Sequence, residues 1–279
     1  MKILFCGDVV ARSGRDVIKK YIPYLKKTWG IDCVIANGEN MQHGCGLSAK
    51  TCEELMQVGV DVITTGNHVW DNKEMLSFIE MNHCVIRPIN FADTVPGRGF
   101  ALFQTCIGDV LVINVMGQIF ITPVLDNPFP ILSNFLKSYK IGSDKLKAIV
   151  IDFHGEATSE KIAMAYYLDG QVSLVVGTHT HVPTADARIL PNGTAFLSDA
   201  GMCGDYSSII GASIETLSCR YLKKIPMKKS LEPPSGEGTL CGVYIETDDE
   251  TGLSKVIHPI RLGKVLATTW PQSLPMALL

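Results

Sequence analysis

The sequence predicts an α/β domain carrying a largely parallel sheet, and three observations predict it. Short apolar runs alternate with helical patterns through the first half of the chain. The runs are apolar at consecutive positions, as strands covered on both faces must be. Each is closed by a short loop before the next helix, the arrangement of right-handed crossover units.

Lys2-Ile3-Leu4-Phe5-Cys6 reads as the first strand, ended by Gly7-Asp8. A helix follows from about Ser13 to Trp29, and Pro23, which lacks an N–H, should bend it or split it in two. Cys33 to Ala36 is the second strand, leading into Asn37-Gly38-Glu39-Asn40 and a glycine-rich turn. The next helix spans about Ser48 to Val58, with Thr51 and Glu54 at capping spacing inside it. Asp61 to Thr64 is the third strand, running into Thr65-Gly66-Asn67-His68, and a helix of about Asn72 to Glu80 comes next.

The middle is less regular. Val110 to Val115 reads as a strand, whereas Gly117 to Pro130 carries three prolines and reads as a long loop. Ala148 to Phe153 is again a strand, entering His154-Gly155-Glu156; Thr158 to Leu168 is helical. Val172 to Val176 is a strand that ends in Gly177-Thr178-His179-Thr180-His181. Beyond Gly204 the pattern turns extended, with Leu240 to Thr247 paired to about Ser254 to Leu262 across Asp248 to Gly252. Lys223-Lys224 through Lys228-Lys229, followed by Pro233-Pro234-Ser235-Gly236, reads as a surface loop. One domain over residues 1–279 is expected, mainly extended from about residue 205.

Composition narrows the function. Of 279 residues 46% are hydrophobic, enough for a substantial core. Lys+Arg number 25 against 28 Asp+Glu, a net charge of −3, which argues against coating a nucleic-acid backbone. The basic run ending at Lys229 has no aromatic interleaving, so no extended nucleic-acid platform is evident. Nine cysteines stand singly without a CxxC pair, indicating neither a zinc ribbon nor a redox motif but thiols in a reducing compartment. The apolar stretch at Ile3 to Gly7 is stopped by Asp8, far short of a signal-peptide core, and no run is long enough to span a bilayer. A cytoplasmic protein is expected.

Five strands end in residues able to bind a metal: Asp8; Glu39 with Asn40; Asn67 with His68; His154; and His179 with His181. In an open α/β sheet the carboxyl ends of strands gather along one edge, where ligands bind. Imidazole, carboxylate and amide donors together suit Mn, Fe, Co, Ni or Zn better than Ca or Mg alone. Eight candidates exceed the needs of one tetrahedral zinc and fit two metals sharing a carboxylate.

In this setting Gly66-Asn67-His68, the isolated His154 and Gly177-Thr178-His179-Thr180-His181 resemble the GNH, H and GHxH motifs of the calcineurin-like metallophosphoesterases. The resemblance sharpens to the YmdB-type cyclic-nucleotide phosphodiesterases through Gly7-Asp8-Val9-Val10, Ala36 to Asn40, Asp152 to Ala157 and Thr178 to Pro183. It extends over essentially the whole chain, including Asp199 to Gly204. It implies two packed mixed β-sheets flanked by helices, an αββα sandwich. It also implies two divalent or mixed-valence transition metal ions, Fe or Mn ahead of Zn, with Glu39 as the bridging carboxylate. Asp8, Asn40 and His181 would serve one metal, and Asn67, His154 and His179 the other. His68 would be no ligand but would assist the leaving oxygen or the phosphoryl group.

Two departures from the superfamily pattern are present: Asp8-Val9-Val10 replaces DxH, and Glu39-Asn40 replaces the bridging Asp. Both match the narrower subfamily. The implied reaction is attack on phosphorus by a hydroxide held between the metals, opening a nucleotide phosphodiester, with a 2′,3′-cyclic nucleotide as the first expectation. Broader action on 3′,5′-cyclic nucleotides or RNA ends is one alternative. A metal-binding signalling protein with little turnover is another. A two-metal amidohydrolase is disfavoured, because its HxH normally follows the first strand and here it comes late.

Blander readings stand beside these. Asp8 alone could cap a helix, and His154 alone could be a packed imidazole. His179 and His181 are better candidates, because in an extended loop residues two apart point the same way. His43, His83 and His258 have no motif around them, although His43 sits in the glycine-rich loop beside Glu39 and could border a substrate. Arg12 and Arg15 could reach a phosphate, but a solvated helix start is favoured. Cys6 and Cys203 are expected as buried thiols, and the apolar composition permits a homo-oligomer.

Overall fold

A computed structural model describes residues 1–143, 145–223, 233–234 and 236–276. The elements run β1 (Lys2–Cys6), β2 (Asp8–Val9), α1 (Ala11–Trp29), β3 (Cys33–Asn37), α2 (Ala49–Gln57), β4 (Val62–Thr64) and α3 (Met75–Met81). They continue with β5 (Phe100–Thr105), β6 (Gly108–Met116), α4 (Pro128–Leu136), β7 (Leu146–His154), α5 (Thr158–Tyr167) and β8 (Leu174–Thr178). The chain closes with β9 (Arg188–Ile189), β10 (Ala195–Leu197), β11 (Met202–Cys203), α6 (Ile214–Lys223), β12 (Leu240–Thr247) and β13 (Ser254–Leu262).

The strands form two main sheets. One has the order β13-β12-β1-β3-β4, the other β5-β6-β7-β8-β10-β9, and β2 pairs with β11 as a small third. Both are mixed: β1-β3-β4 and β6-β7-β8-β10 are parallel, while β12, β13, β5 and β9 add antiparallel strands outside them.

Side-chain alternation along each strand assigns the layers. Ile3, Phe5, Cys33, Ile35, Val243 and Ile245 of the first sheet meet Val110, Val112, Val150, Leu174, Val176 and Leu197 of the second in one buried layer. The intervening residues face helices. Leu4, Val34 and Tyr244 pack with Ile18, Ile22, Leu25 and Trp29 of α1 and with Leu55 of α2. Ile149, Ile151, Val175 and Phe196 pack with Leu132 of α4 and Met164 of α5. Every central strand is therefore covered on both faces, which is why the sequence shows unbroken apolar runs.

Several elements differ from the sequence reading. Helix α1 runs unbroken through Pro23, held by the buried row Val17, Ile18, Ile22, Leu25 and Trp29. The capping pair of α2 is Ser48 with Thr51, not Thr51 with Glu54: the Ser48 side chain accepts from the Thr51 N–H, and Thr51 Oγ1 accepts from the Ser48 N–H. The proline-rich loop ends at Asn127, which caps α4, and Pro128 opens that helix where a missing N–H costs nothing. Strand β5, unread in the sequence, is a half-exposed edge strand. The stretch beyond 204 holds helix α6 as well as the hairpin β12-β13, which pairs where the sequence placed it. Most of the basic run, Lys224 to Lys229, lies outside the described residues.

Among the described residues no helix is long and apolar enough to cross a membrane, and Cys6, Cys33, Cys45, Cys52, Cys84, Cys106, Cys203 and Cys241 are free thiols. Cys6 and Cys203 are buried. Phe5 is fully buried between the two sheets. Phe5→Ala should therefore lower unfolding stability by about 3–5 kcal/mol, measured by urea denaturation; a loss below about 1 kcal/mol would contradict the inter-sheet packing.

Candidate metal centre

The parallel strands β1, β3 and β4 of one sheet and β7 and β8 of the other deliver their carboxyl ends to a common edge. Asp8 follows β1, Glu39 and Asn40 follow β3, Asn67 and His68 follow β4, His154 ends β7, and His179 and His181 follow β8. All eight predicted residues come together. Asp8, Glu39, Asn40 and His154 are buried and Asn67 is half-buried, whereas the half-buried His68, His179 and His181 line a cavity of about 580 Å³.

The donor atoms fall into two sets. Around His154 Nε2 lie Asn67 Oδ1 at 3.0 Å, Glu39 Oε1 at 3.2 Å and His179 Nδ1 at 3.2 Å. The other set contains His181 Nε2, which lies 3.8 Å from Asp8 Oδ1 and 3.1 Å from the Asn40 amide nitrogen. Glu39 Oε1 joins the sets, since it also accepts from Asn40 Nδ2 at 3.2 Å. Its second oxygen, Oε2, accepts the backbone N–H of His68 at 3.1 Å.

Outer partners orient the three imidazoles. His154 Nδ1 meets Thr178 Oγ1 at 2.9 Å, and that hydroxyl donates to Asp152 Oδ1 at 2.7 Å, so Nδ1 carries the hydrogen. His181 Nδ1 donates to the carbonyl of Ile210 at 2.7 Å. His179 Nε2 faces the Glu156 carboxylate at 3.3 Å. In each ring the outward nitrogen has a partner for its proton and the inward one faces the centre, as in metal-binding histidines.

The chemistry of the donor set fits cations. Asp8 Oδ1 is buried without a hydrogen-bond partner, an arrangement that costs free energy unless a positive charge faces it. Burial pushes the Asp8 carboxyl up. Burial opposes charge on His154, yet the adjoining Glu39 carboxylate raises it to about 9. Burial, and then the His154 charge, lowers His179 to about 3, so this ring is neutral and ready to coordinate. Asn40 fits less directly: its Nδ2 faces inward, and ligation requires the amide to turn over and present Oδ1.

The scaffold beneath is polar and buried. Asn37, at the end of β3, donates through Nδ2 to Asp152 Oδ2 at 3.0 Å and to the Thr65 carbonyl at 3.1 Å, tying the two sheets together. The segment with His179 and His181 is not the extended loop expected: both residues have positive φ, 100° and 66°. Such backbone costs on the order of 1–3 kcal/mol per residue and persists only where contacts enforce it. Here the His179 N–H donates to Asp8 Oδ2 at 3.1 Å and the Thr180 N–H to Asp199 Oδ2 at 3.1 Å. Lys161, fully buried, bonds Asp199 Oδ2 at 2.8 Å and the Thr178 carbonyl at 2.9 Å. Gly66 packs against the centre: a Cβ there would meet Glu39 Oε2 and His154 Nε2 at 2.4 Å.

Sequence reasoning gives no site role to Asp71, Asp152, Lys161 or Asp199, although Asp152 and Asp199 stand inside segments that carry the family resemblance. A polar residue inside the apolar β7 run is the available signal for Asp152; Lys161 is hidden within an ordinary helical pattern. Asp71 accepts from His68 Nδ1 at 2.8 Å, across a spacing of three that is legible in the sequence. Arg15 is committed to Glu54 and to the carbonyl of Met41, and Arg12 pairs with Asp16 at the surface. His43 is exposed and does not line the cavity, although Gly44 and Cys45 of the same loop do.

A family model described as YmdB-like protein matches residues 4–260. The chain belongs to the YmdB-like family. A Bacillus subtilis (strain 168) relative, named 2′,3′-cyclic-nucleotide 2′-phosphodiesterase, is 45% identical over 266 residues, covering 94% of this chain and 97% of the relative. A crystal structure of a hypothetical protein from Thermus thermophilus superposes with a TM-score of 0.86 at 39% identity, covering 94% and 98% of the two chains. That of a Mycoplasma pneumoniae phosphatase gives 0.85 at 35% identity, covering 94% and 93%. Such relatives imply divalent metal ions for a site of this composition.

Lys161→Met should destabilise the protein by about 3–5 kcal/mol, because it leaves Asp199 buried and unpaired; thermal denaturation measures this. Gly66→Ala should leave the fold in place but reduce bound metal severely, read by elemental analysis. A variant with wild-type metal content would contradict the close packing described.

Proposed function

We propose that the chain is a metal-dependent phosphodiesterase that hydrolyses cyclic nucleotides, 2′,3′-cyclic nucleoside monophosphates foremost, at a two-metal centre. The observation that carries this is the orientation of three imidazoles, each with one nitrogen turned inward and the other held by an outer partner, around a buried carboxylate shared by two donor sets. Asp8, Asn40 and His181 would hold one ion, Asn67, His154 and His179 the other, and the Glu39 carboxylate would be shared between them. The name of the Bacillus subtilis relative supports the substrate class. Nitrogen and oxygen donors accommodate Fe, Mn or Zn, and the family resemblance puts Fe or Mn ahead of Zn.

The bound ions supply Lewis-acid charge for the phosphoryl oxygens and acidify water so that hydroxide is available near neutral pH. The chain's own groups do the rest. The cavity is of a size for a mononucleotide. Val182, Ile210 and Ala212 give it an apolar wall opposite the polar floor, suited to a ribose and base. Asp71 accepts the Nδ1 hydrogen of His68, which fixes the ring and directs Nε2 toward the cavity. As the bond from phosphorus to the ribose 2′ oxygen breaks, His68 delivers a proton to that oxygen, and a nucleoside 3′-phosphate leaves. The floor's backbone donors are already spent on Asp8 and Glu39, so anion binding falls to the ions and to His68.

The alternatives of a 3′,5′-cyclic nucleotide or RNA-end substrate use the same chemistry, and a substrate panel distinguishes them. His68→Ala should keep both metals by elemental analysis and lose turnover of bis-para-nitrophenyl phosphate by about 10²–10⁴-fold. Asp8→Ala and His179→Ala should instead lose metal. Chelation should abolish activity and added Mn²⁺ restore it; undiminished activity in a metal-stripped sample would falsify the proposal.

A further inference from the structure

We propose that Cys45, His68 and Asp71 form a third cation site, distinct from the two-metal centre, which takes a thiophilic divalent ion of the Zn²⁺ type. Cys45 Sγ lies 3.0 Å from His68 Nδ1 and 2.9 Å from Asp71 Oδ2, and these two atoms are 2.8 Å apart. One sulfur, one imidazole nitrogen and one carboxylate oxygen thus close a triangle at the cavity mouth. This is a zinc-type donor set, three protein ligands with the fourth position open to solvent. A tetrahedral ion with bonds of about 2.0–2.3 Å needs edges of roughly 3.3–3.6 Å. Each pair would open by about half an ångström, within reach of side chains that are exposed or half-buried.

The loop that carries Cys45 is built to hold it there. The Gln42 N–H donates to the Gly46 carbonyl at 2.9 Å and the Cys45 N–H to the Gln42 carbonyl at 3.1 Å, closing the turn. Asn72 Nδ2 donates to Gln42 Oε1 at 3.0 Å, fastening the turn to the segment that bears Asp71. Gly46 has φ +77°, and a Cβ there would press on Asp71 Cβ at 3.2 Å. The juxtaposition of thiol and carboxylate is therefore made by the fold.

A nucleophilic or redox-sensing thiol does not fit these surroundings. Burial, and then the Asp71 carboxylate bonded to it, pushes the Cys45 thiol up, so the free thiolate is disfavoured until a cation replaces its proton. Binding releases the thiol proton to solvent and shifts the His68 Nδ1 hydrogen to Nε2, leaving a neutral ring coordinated through Nδ1. Asp71 is withdrawn from His68 at the same time.

The consequence for turnover rests on the phosphodiesterase reading. With Nδ1 and Asp71 both occupied by the ion, His68 loses the partner that orients its ring toward the leaving oxygen, so excess Zn²⁺ arrests the enzyme.

The test uses Co²⁺ as the probe, added anaerobically to the full chain with its thiols reduced. No ligand assigned to the two-metal centre is a sulfur, so a sulfur-to-cobalt charge-transfer band reports the third site alone. Wild type should develop the band, Zn²⁺ should displace it, and Cys45→Ser and Cys45→Ala should lack it. In turnover assays with fixed Mn²⁺, Cys45→Ser should need at least about tenfold more Zn²⁺ than wild type for half-inhibition. Absence of the band in wild type, its survival in both Cys45 variants, or equal Zn²⁺ sensitivity of wild type and Cys45→Ser would overturn the proposal. A Cys45-dependent band in a protein that turns over no phosphodiester with any metal would support the site and defeat the phosphodiesterase reading instead.

Discussion

The amide of Asn37 lies beneath everything else at the site. It ends a strand of one sheet and reaches Asp152 in a strand of the other, while also holding the carbonyl of Thr65. Over most of their area the sheets meet through apolar side chains, which fix separation but tolerate sliding. A directional bond in a dry interior does not tolerate it, since a displaced partner would be left buried and unpaired. From Asp152 the order passes through the Thr178 hydroxyl to His154 Nδ1. The relative position of two sheets is thereby converted into the orientation of one imidazole.

Charge is concentrated where it would normally be excluded. Asp8, Glu39, Asp152 and Asp199 are all buried, and Lys161 is the buried cation bonded to one of them, Asp199. The chain's net charge of −3 conceals this local excess. Burial pushes the Asp152 carboxyl to about 6, so a neutral form is within reach for that group. Burial opposes charge on Glu39 too, but His154 beside it holds that carboxyl low, and bound cations would supply the missing charge. Stability and metal binding are therefore coupled here, because the same ions that serve catalysis offset the desolvation of the site.

The strained backbone at His179 and His181 follows from the same constraint. Two donors, the N–H groups of His179 and Thr180, are tied down by Asp8 and Asp199. The left-handed conformations turn the first ring toward His154 and the second toward Asn40. An extended segment would have pointed both rings into a single donor set. Strain at these two residues is what distributes the histidines between two sets.

The sequence by itself determined the strands and the residues that end them. Apolar runs covered on both faces, closed by Asp8, Glu39, Asn67, His154 and His179, are local signals, and all eight predicted site residues converge in the fold. The hairpin β12-β13 was equally legible, because its alternation and its turn are contiguous. What escaped depended on distant neighbours. Pro23 does not divide α1 because burial of its apolar row outweighs one lost bond, and the short apolar stretch Phe100 to Phe103 of edge strand β5 becomes a strand only by pairing with β6. Asp71, Lys161 and Asp199 acquire roles only through partners that a linear pattern does not show. Tertiary structure alone decided that the carboxyl edges of two different sheets face one another, since that geometry is set by inter-sheet packing and the Asn37 bridge. It also decided which nitrogen of each histidine turns inward, because the proton follows a hydrogen-bond partner that lies elsewhere in the chain.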